Sequence, residues 1–385
     1  MFSLTVAFLI GFQVTISAQQ AKKSYTPYGI FMELPLFYNE AKADLKFPMA
    51  WGTSSIRDFT QWRQEARAKM MSLLLTPPQV TSYNTQVLES EKRNGYEVQK
   101  LAFNISSYCR IPAYLLIPDG KGPFPALVVL HDHGAHYSIG KEKVVEPFGV
   151  SREVYTDARN WVDKYYGGQW IADYFAGHGY VVLAIDALFW GERGRKEGVR
   201  HESQETLAVN LLQLGMTWSG IVTYDDIRCV DFLSSLPVVD SNRIGTAGLS
   251  MGGRRAWMLS ASTDKIKAAA SICWMCTTRA LMVYGNNETR GQNSHSMIVP
   301  GMANYLDIPH MATIACPKPA LFFNGLYDDI FPVEGVKDSY AIMREVWKSQ
   351  DAEDKLVTKI FDIPHLYNRE MQKETLDFLD KYLKK

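Results

Sequence analysis

Ser250 lies in Gly248-Leu249-Ser250-Met251-Gly252, directly after the apolar run Arg243-Ile244-Gly245-Thr246-Ala247. A strand that breaks at such a serine and continues as a helix forms a nucleophile elbow. The flanking glycines admit a tight backbone, the hydroxyl is held above the sheet edge, and the helix N-terminus is aimed at the reacting centre. A serine hydroxyl is a weak nucleophile until a base takes its proton, so the chain must also supply an imidazole and a carboxylate to orient it. The run Leu321-Phe322-Phe323-Asn324-Gly325 reads as a buried strand that delivers Asp328 into the next turn, with Asp329 beside it as a competitor for the acid role. Beyond that point the chain contains one histidine, His365, after the apolar run Leu356-Val357-Thr358-Lys359-Ile360. Each residue also has a plainer reading: Ser250 as an ordinary turn, Asp328 as a turn-capping carboxylate, His365 as a loop imidazole.

Acyl transfer develops negative charge on a carbonyl oxygen, which two backbone N–H groups must meet. Met251, the residue after the nucleophile, supplies one. The second is expected from the loop His131-Asp132-His133-Gly134-Ala135-His136, where Gly134 allows close backbone approach and Ala135 is the expected donor. Three histidines and an aspartate in one loop also invite a metal reading, but their spacing matches no zinc signature, so no metal is expected and Asp132 and His133 are read as braces of the loop.

These groups can meet only if the right elements carry them. The 385 residues are 46% apolar and 21% charged, an ordinary globular composition able to bury a large core, and 41 basic against 41 acidic side chains argue against a nucleic-acid partner. Five scattered cysteines are too few for a disulfide framework, and Cys273 and Cys276 read as buried thiols rather than as a redox or zinc pair. The apolar run Phe2 to Ile16, followed by Ser17-Ala18-Gln19-Gln20, reads as an export signal over 1–18, and no later stretch is long enough to cross a bilayer. Residues 19–80 read as an extension packed on the main domain, containing an amphipathic helix over Asp58 to Leu75 that Pro77-Pro78 ends. Residues 81–385 then alternate strand and helix patterns, the signature of a mostly parallel sheet covered on both faces.

Eight strands are expected: Val98 to Ile105, Ala113 to Ile117, Ala126 to His131, Val181 to Ile185, Arg243 to Gly248, Ala268 to Trp274, Ala320 to Asn324 and Leu356 to Phe361. The clearest helices are Trp170 to Ala176, Ile221 to Leu236, Met251 to Ser262, Gly335 to Trp347 and Glu370 to Leu383. The long segment 275–317 reads as an insertion that builds an active-site wall or lid.

Four stretches together carry a family resemblance: His131-Asp132-His133-Gly134, Gly140-Lys141-Glu142-Lys143, Asp186-Ala187-Leu188-Phe189-Trp190-Gly191-Glu192-Arg193-Gly194, and Gly248-Leu249-Ser250-Met251-Gly252-Gly253. From about Ser54 onward the chain resembles the acetyl xylan esterase-like branch of the dienelactone hydrolase-related α/β-hydrolases. The resemblance implies an α/β-hydrolase fold, the triad Ser250, Asp328 and His365, no cofactor, and an exported enzyme acting on oligosaccharide or small-molecule esters. Where many relatives have a second glycine after His-Gly, this chain has Ala135.

For the substrate, Arg254 and Arg255 could grip a sugar carboxylate, which would favour methyl esters of uronic acids over acetylated sugars. Trp190 and Trp274, at the C-terminal ends of strands, could stack on a sugar ring. The expected activity is a secreted serine carboxylic ester hydrolase on carbohydrate esters. A non-catalytic carbohydrate-binding protein on the same scaffold is the alternative of another class.

Overall fold

The computed structural model describes residues 29–31, 34–195, 203–283 and 295–384, so the expected export signal over 1–18 lies outside the described residues. The chain divides into two compact units, 1–45 and 46–385. In the first, the two-residue strands β1 (Ile30–Phe31) and β2 (Leu34–Pro35) pair antiparallel ahead of helix α1 (Tyr38–Ala43).

Among the described residues, the second unit is built on a nine-stranded sheet. In chain order its strands are β3 (Gln86–Arg93), β4 (Tyr96–Asn104), β5 (Arg110–Pro118), β6 (Phe124–Leu130), β7 (Val181–Ile185), β8 (Val239–Leu249), β9 (Ile266–Ile272), β10 (Ala320–Gly325) and β11 (Leu356–Phe361). Across the sheet the order is β11-β10-β9-β8-β6-β7-β5-β4-β3, parallel from β11 to β7 and antiparallel from β7 to β3. The eight expected strands are all present. The ninth, β3, escaped the sequence reading because Gln86 to Arg93 is polar and exposed on both faces, so it carries no period-two apolar signal.

Parallel strands must be covered on both faces, and alternate residues of each strand divide the core accordingly. On one face Leu127, Val129, Leu249, Ile272 and Phe323 pack against Val162 of α3 (Arg152–Tyr165), Phe175 of α4 (Ile171–Gly177) and Leu376 and Leu379 of α11 (Arg369–Leu383). On the other, Val128, Leu130, Leu183 and Ile244 pack against Val230 and Leu233 of α6 (Trp218–Ser234) and Ala256 and Leu259 of α7 (Met251–Ser262). The remaining helices are α2 (Phe59–Leu73), α5 (Ser203–Gln213), α8 (Thr278–Leu281), α9 (Ile308–Thr313) and α10 (Val333–Lys348).

Helix α2 is the amphipathic helix expected near Asp58 to Leu75. The Asp58 carboxylate caps it by accepting from Gln61 N at 2.7 Å, and Trp62, Ala66 and Met70 bury one face at i, i+4 and i+8. Within the second unit, Arg67 ties it to α7 by donating to the Ala261 carbonyl at 2.7 Å.

Helices α6 and α7 are joined by an ion pair inside the core. Arg255 donates to both oxygens of Asp226, at 2.9 and 2.7 Å, and both side chains are 1% exposed. Removing one partner strands a buried charge, so Asp226→Ala should destabilise the fold by about 3–5 kcal/mol, read as a lowered urea midpoint. Replacing both partners by apolar residues of similar volume, Arg255→Met with Asp226→Leu, should recover most of that loss.

Candidate active site

The elbow is a strained junction. Strand β8 ends at Leu249, α7 begins at Met251, and between them Ser250 takes φ 56° and ψ −122°. A non-glycine residue held there costs on the order of 1–3 kcal/mol and persists only where its surroundings fix it. They do so here: Ser250 N–H donates to the Ile272 carbonyl of β9 at 2.7 Å, and the Ser250 carbonyl accepts from Arg254 N at 2.9 Å. The flanking glycines are required by contact distance. A Cβ on Gly252 would stand 2.0 Å from the Leu130 carbonyl oxygen, and one on Gly248 would stand 2.5 Å from the same atom.

Asp328 and His365 are in direct contact. The turn after β10 buries the Asp328 side chain, whose Oδ1 accepts from Ile330 N at 3.0 Å while Oδ2 lies 2.7 Å from His365 Nδ1. Asp329, the competing acid, lines a cavity instead. The His365 ring stacks on Phe331 at 6.0 Å between centroids. With Nδ1 bonded to Asp328, Nε2 is the ring nitrogen left to exchange a proton. Burial by itself depresses the imidazole pKa, but the Asp328 charge and hydrogen bond, with smaller help from Asp132 and Asp329, raise it above 6.5 overall.

Ser250 and His365 line one cavity of about 640 Å³. Its other walls include Asp132, Gly134 and Ala135 of the loop after β6, Trp161, Lys164 and Tyr165 of α3, Leu249 of β8, and Asp329, Ile330, Pro364 and Leu366. No described residue of the segment 275–317 lines this cavity, and its part 284–294, on which the wall-or-lid expectation also falls, lies outside the described residues. Helix α3 supplies the aromatic wall. The sequence reading missed it although Ser151, its N-cap, precedes apolar residues at Val154, Ala158, Trp161, Val162 and Tyr165.

Asp132 and His133 brace the loop, as expected. Asp132 Oδ1 accepts from Trp161 Nε1 at 3.1 Å and Tyr166 Oη at 2.7 Å, and His133 Nδ1 accepts from Ala135 N–H at 2.9 Å. That last bond commits the N–H expected to face an oxyanion, so the geometry does not support Ala135 as the donor. His131 Nε2 accepts from Ala187 N at 3.0 Å and His136 Nε2 lies 2.7 Å from Asp157, so the loop histidines are engaged separately. The nearby carboxylates Glu142, Asp186 and Glu192 converge on buried Lys141, at 2.8, 2.9 and 2.6 Å from Nζ.

Four residues assigned to substrate do not reach the cavity. Arg255 is spent on Asp226, and Arg254, 1% exposed, donates to Ser219 Oγ of α6 at 2.7 Å. Both turn into the core because the helix face at those positions looks toward α6. Trp190 is fully buried among Tyr137, Phe189 and Trp218 and donates to the His133 carbonyl at 3.2 Å, which makes it a support of the loop. Trp274 is packed between Trp257 and Phe331. Cys273 and Cys276 are free, buried thiols, and burial pushes the Cys276 thiol up to about 12.

A mostly parallel sheet that presents a strained serine after β8, a carboxylate after β10 and its imidazole partner after β11 defines an α/β-hydrolase. The sequence profile described as Abhydrolase family matches residues 12–355, and the chain belongs to that family. It is 27% identical over 322 residues to YtaP of Bacillus subtilis (strain 168), which is named as a hydrolase, an alignment spanning 83% of this chain and 100% of YtaP. Among solved structures, a Bacteroides fragilis NCTC 9343 protein described as an acetyl xylan esterase superposes with a TM-score of 0.65 at 19% identity, covering 84% of this chain and 80% of that one. The glucuronoyl esterase from Solibacter usitatus superposes with a TM-score of 0.62 at 14% identity, covering 86% and 95%. At these identities the likeness is one of fold, and it agrees with the α/β-hydrolase resemblance seen in the sequence.

The Asp328–His365 contact sets a pH dependence. If neutral His365 is the working base, kcat/KM should rise with pH through an apparent pKa above 6.5. Asp328→Asn should move that limb to lower pH while the plateau falls by roughly 10⁴-fold. Stability runs the other way. Because folding raises this pKa, the increment from protonated His365 is fully present below about 6.5 and is lost as pH climbs through the folded value. Rate profiles and urea midpoints over the same pH range check both signs.

Proposed function

We propose that the protein is a serine carboxylic ester hydrolase that removes acyl groups, acetyl foremost, from carbohydrate esters through a covalent acyl-enzyme. The observation that carries this reading is the 2.7 Å contact between Asp328 and His365 on the cavity that also holds the strained Ser250.

Ser250 Oγ attacks the ester carbonyl carbon as His365 Nε2 accepts its proton, and Asp328 stabilises the imidazolium that forms. The oxygen of the tetrahedral intermediate faces the N-terminus of α7, whose first N–H groups, Met251 among them, have no acceptor within the helix. Collapse expels the sugar hydroxyl, protonated by His365, and leaves the acyl group on Ser250. Water then repeats the sequence, delivering its proton to His365 and releasing the carboxylic acid.

The carbohydrate part of the reading is supported by the aromatic wall of Trp161 and Tyr165 beside Ser250 and by the shared fold with proteins described as an acetyl xylan esterase and a glucuronoyl esterase. The uronate methyl ester alternative loses the support of Arg254 and Arg255, which are turned into the core, but keeps that of the fold shared with a glucuronoyl esterase. The apolar run Phe2 to Ile16 supports export.

On acetylated xylan, Ser250→Ala should lower turnover by at least about 10⁴-fold with the fold retained, and labelling by a fluorophosphonate should vanish. A folded wild type that takes no label favours the carbohydrate-binding alternative. Side-by-side rates on acetylated xylan, methyl-esterified pectin and feruloylated arabinose should rank the acetyl ester first.

A further inference from the structure

We propose that the second oxyanion donor is the N–H of Gly134 and that Lys143 is the positioning residue that aims it; this rests on the reading of Ser250 as the nucleophile.

Lys143 is completely buried, a costly place for an ammonium group unless its donors are well used. The described hydrogen bonds of its ammonium group all go to one turn of the loop. Nζ donates to the His133 carbonyl at 2.9 Å and the Asp132 carbonyl at 3.1 Å, with Asp132 Oδ2 at 3.5 Å, and it sits over the Trp161 ring at 4.8 Å. The His133 carbonyl also accepts from buried Trp190 Nε1 at 3.2 Å. In a planar trans peptide the C=O and N–H point in opposite directions. Drawing the His133 carbonyl inward onto Lys143 and Trp190 therefore turns the N–H of the same peptide, that of Gly134, away from them. Gly134 borders the cavity together with Ser250. The next N–H along, that of Ala135, is bonded to His133 Nδ1.

Two further features fit a fixed donor at 134. The backbone has φ +62°, and a Cβ there would stand 2.2 Å from Trp161 Cζ2, so only glycine brings the chain this close under the indole. The indole is itself held by Asp132 Oδ1 at 3.1 Å, so the loop, Lys143 and α3 lock one another. Donors oriented before charge develops stabilise the transition state more than the ground state, which marks kcat rather than KM.

Backbone substitution tests the donor directly. Glycolic acid at Gly134, which puts an ester oxygen where the N–H was, should cut kcat on 4-nitrophenyl acetate by about 10²-fold or more, whereas lactic acid at Ala135 should cost far less. Lys143→Met should lower kcat and the affinity for a trifluoromethyl ketone, whose adduct carries the oxyanion, by a common factor of about 10² while KM stays within about twofold. Should Lys143→Met fail to fold, Trp190→Phe, which removes one donor to the same carbonyl, should show the same kcat and ketone pattern at smaller amplitude. The proposal is overturned, with the esterase reading intact, by an active wild type in which the Ala135 ester costs more than the Gly134 ester, or in which folded Lys143→Met keeps its kcat and ketone affinity. A wild type that neither turns over the ester nor binds the ketone overturns both.

Discussion

The close approach of α7 to the end of β6 is the constraint on which the site depends. Gly248 is paired in register with Leu130, and the first turn of α7 then passes so near the Leu130 carbonyl that neither Gly248 nor Gly252 can carry a side chain. The loop of His131 to Ala135 leaves β6 at that same point. Nucleophile and loop thus emerge at one level of the sheet, and the strain at Ser250 is held by β8, β9 and α7 together. Because β10 and β11 run parallel to β8 and end on the same side, the carboxylate and imidazole arrive there without a long connection.

Behind this edge the protein places charges where most proteins place hydrocarbon. Arg255 with Asp226, Arg193 with Asp225 at 2.8 Å, and Lys141 with Glu142 and Asp186 lie at or near complete burial, while Glu192, the third carboxylate on Lys141, reaches solvent. Such groups add little net stability compared with apolar replacements, but each has few geometries in which it is satisfied. Here they link the loops after β6 and β7 to helices α6 and α7, so the backbone around the cavity has little freedom to rearrange.

The sheet was legible because its central strands are buried on both faces and read as apolar runs, and half-buried β11 keeps an apolar run at the edge: β7 and β11 have the expected bounds, as does α7. The contact of Asp328 with His365 was legible for a different reason, since His365 is the only histidine after the acid, which left only the choice between Asp328 and its neighbour Asp329. Side-chain direction was not legible. Arg254 and Arg255 follow the nucleophile closely in sequence, yet a helix rotates about 100° per residue and these positions look toward α6. Trp190 likewise sits at a strand end but faces inward. Lys143 entered only as part of the stretch Gly140-Lys141-Glu142-Lys143 that carries the resemblance, with no sign of its burial, because a lysine in a charged run reads as solvated until the fold encloses it. Helix α3 did carry a signal in Ser151 and its apolar spacing, diluted by the many charges between.

The polar ninth strand has a consequence of its own. As the outermost strand on its side among the described residues, β3 leaves a row of backbone N–H and C=O groups without a neighbouring described strand, an invitation for a second molecule to add its own edge. Its residues include Glu89, Glu91, Lys92 and Arg93, and Leu88 is an extra residue at an irregularity in the pairing with β4, which bends the rim away from the flat shape that stacking requires. The strand that adds nothing to the core thus guards the molecule against fibrous self-association when it is concentrated.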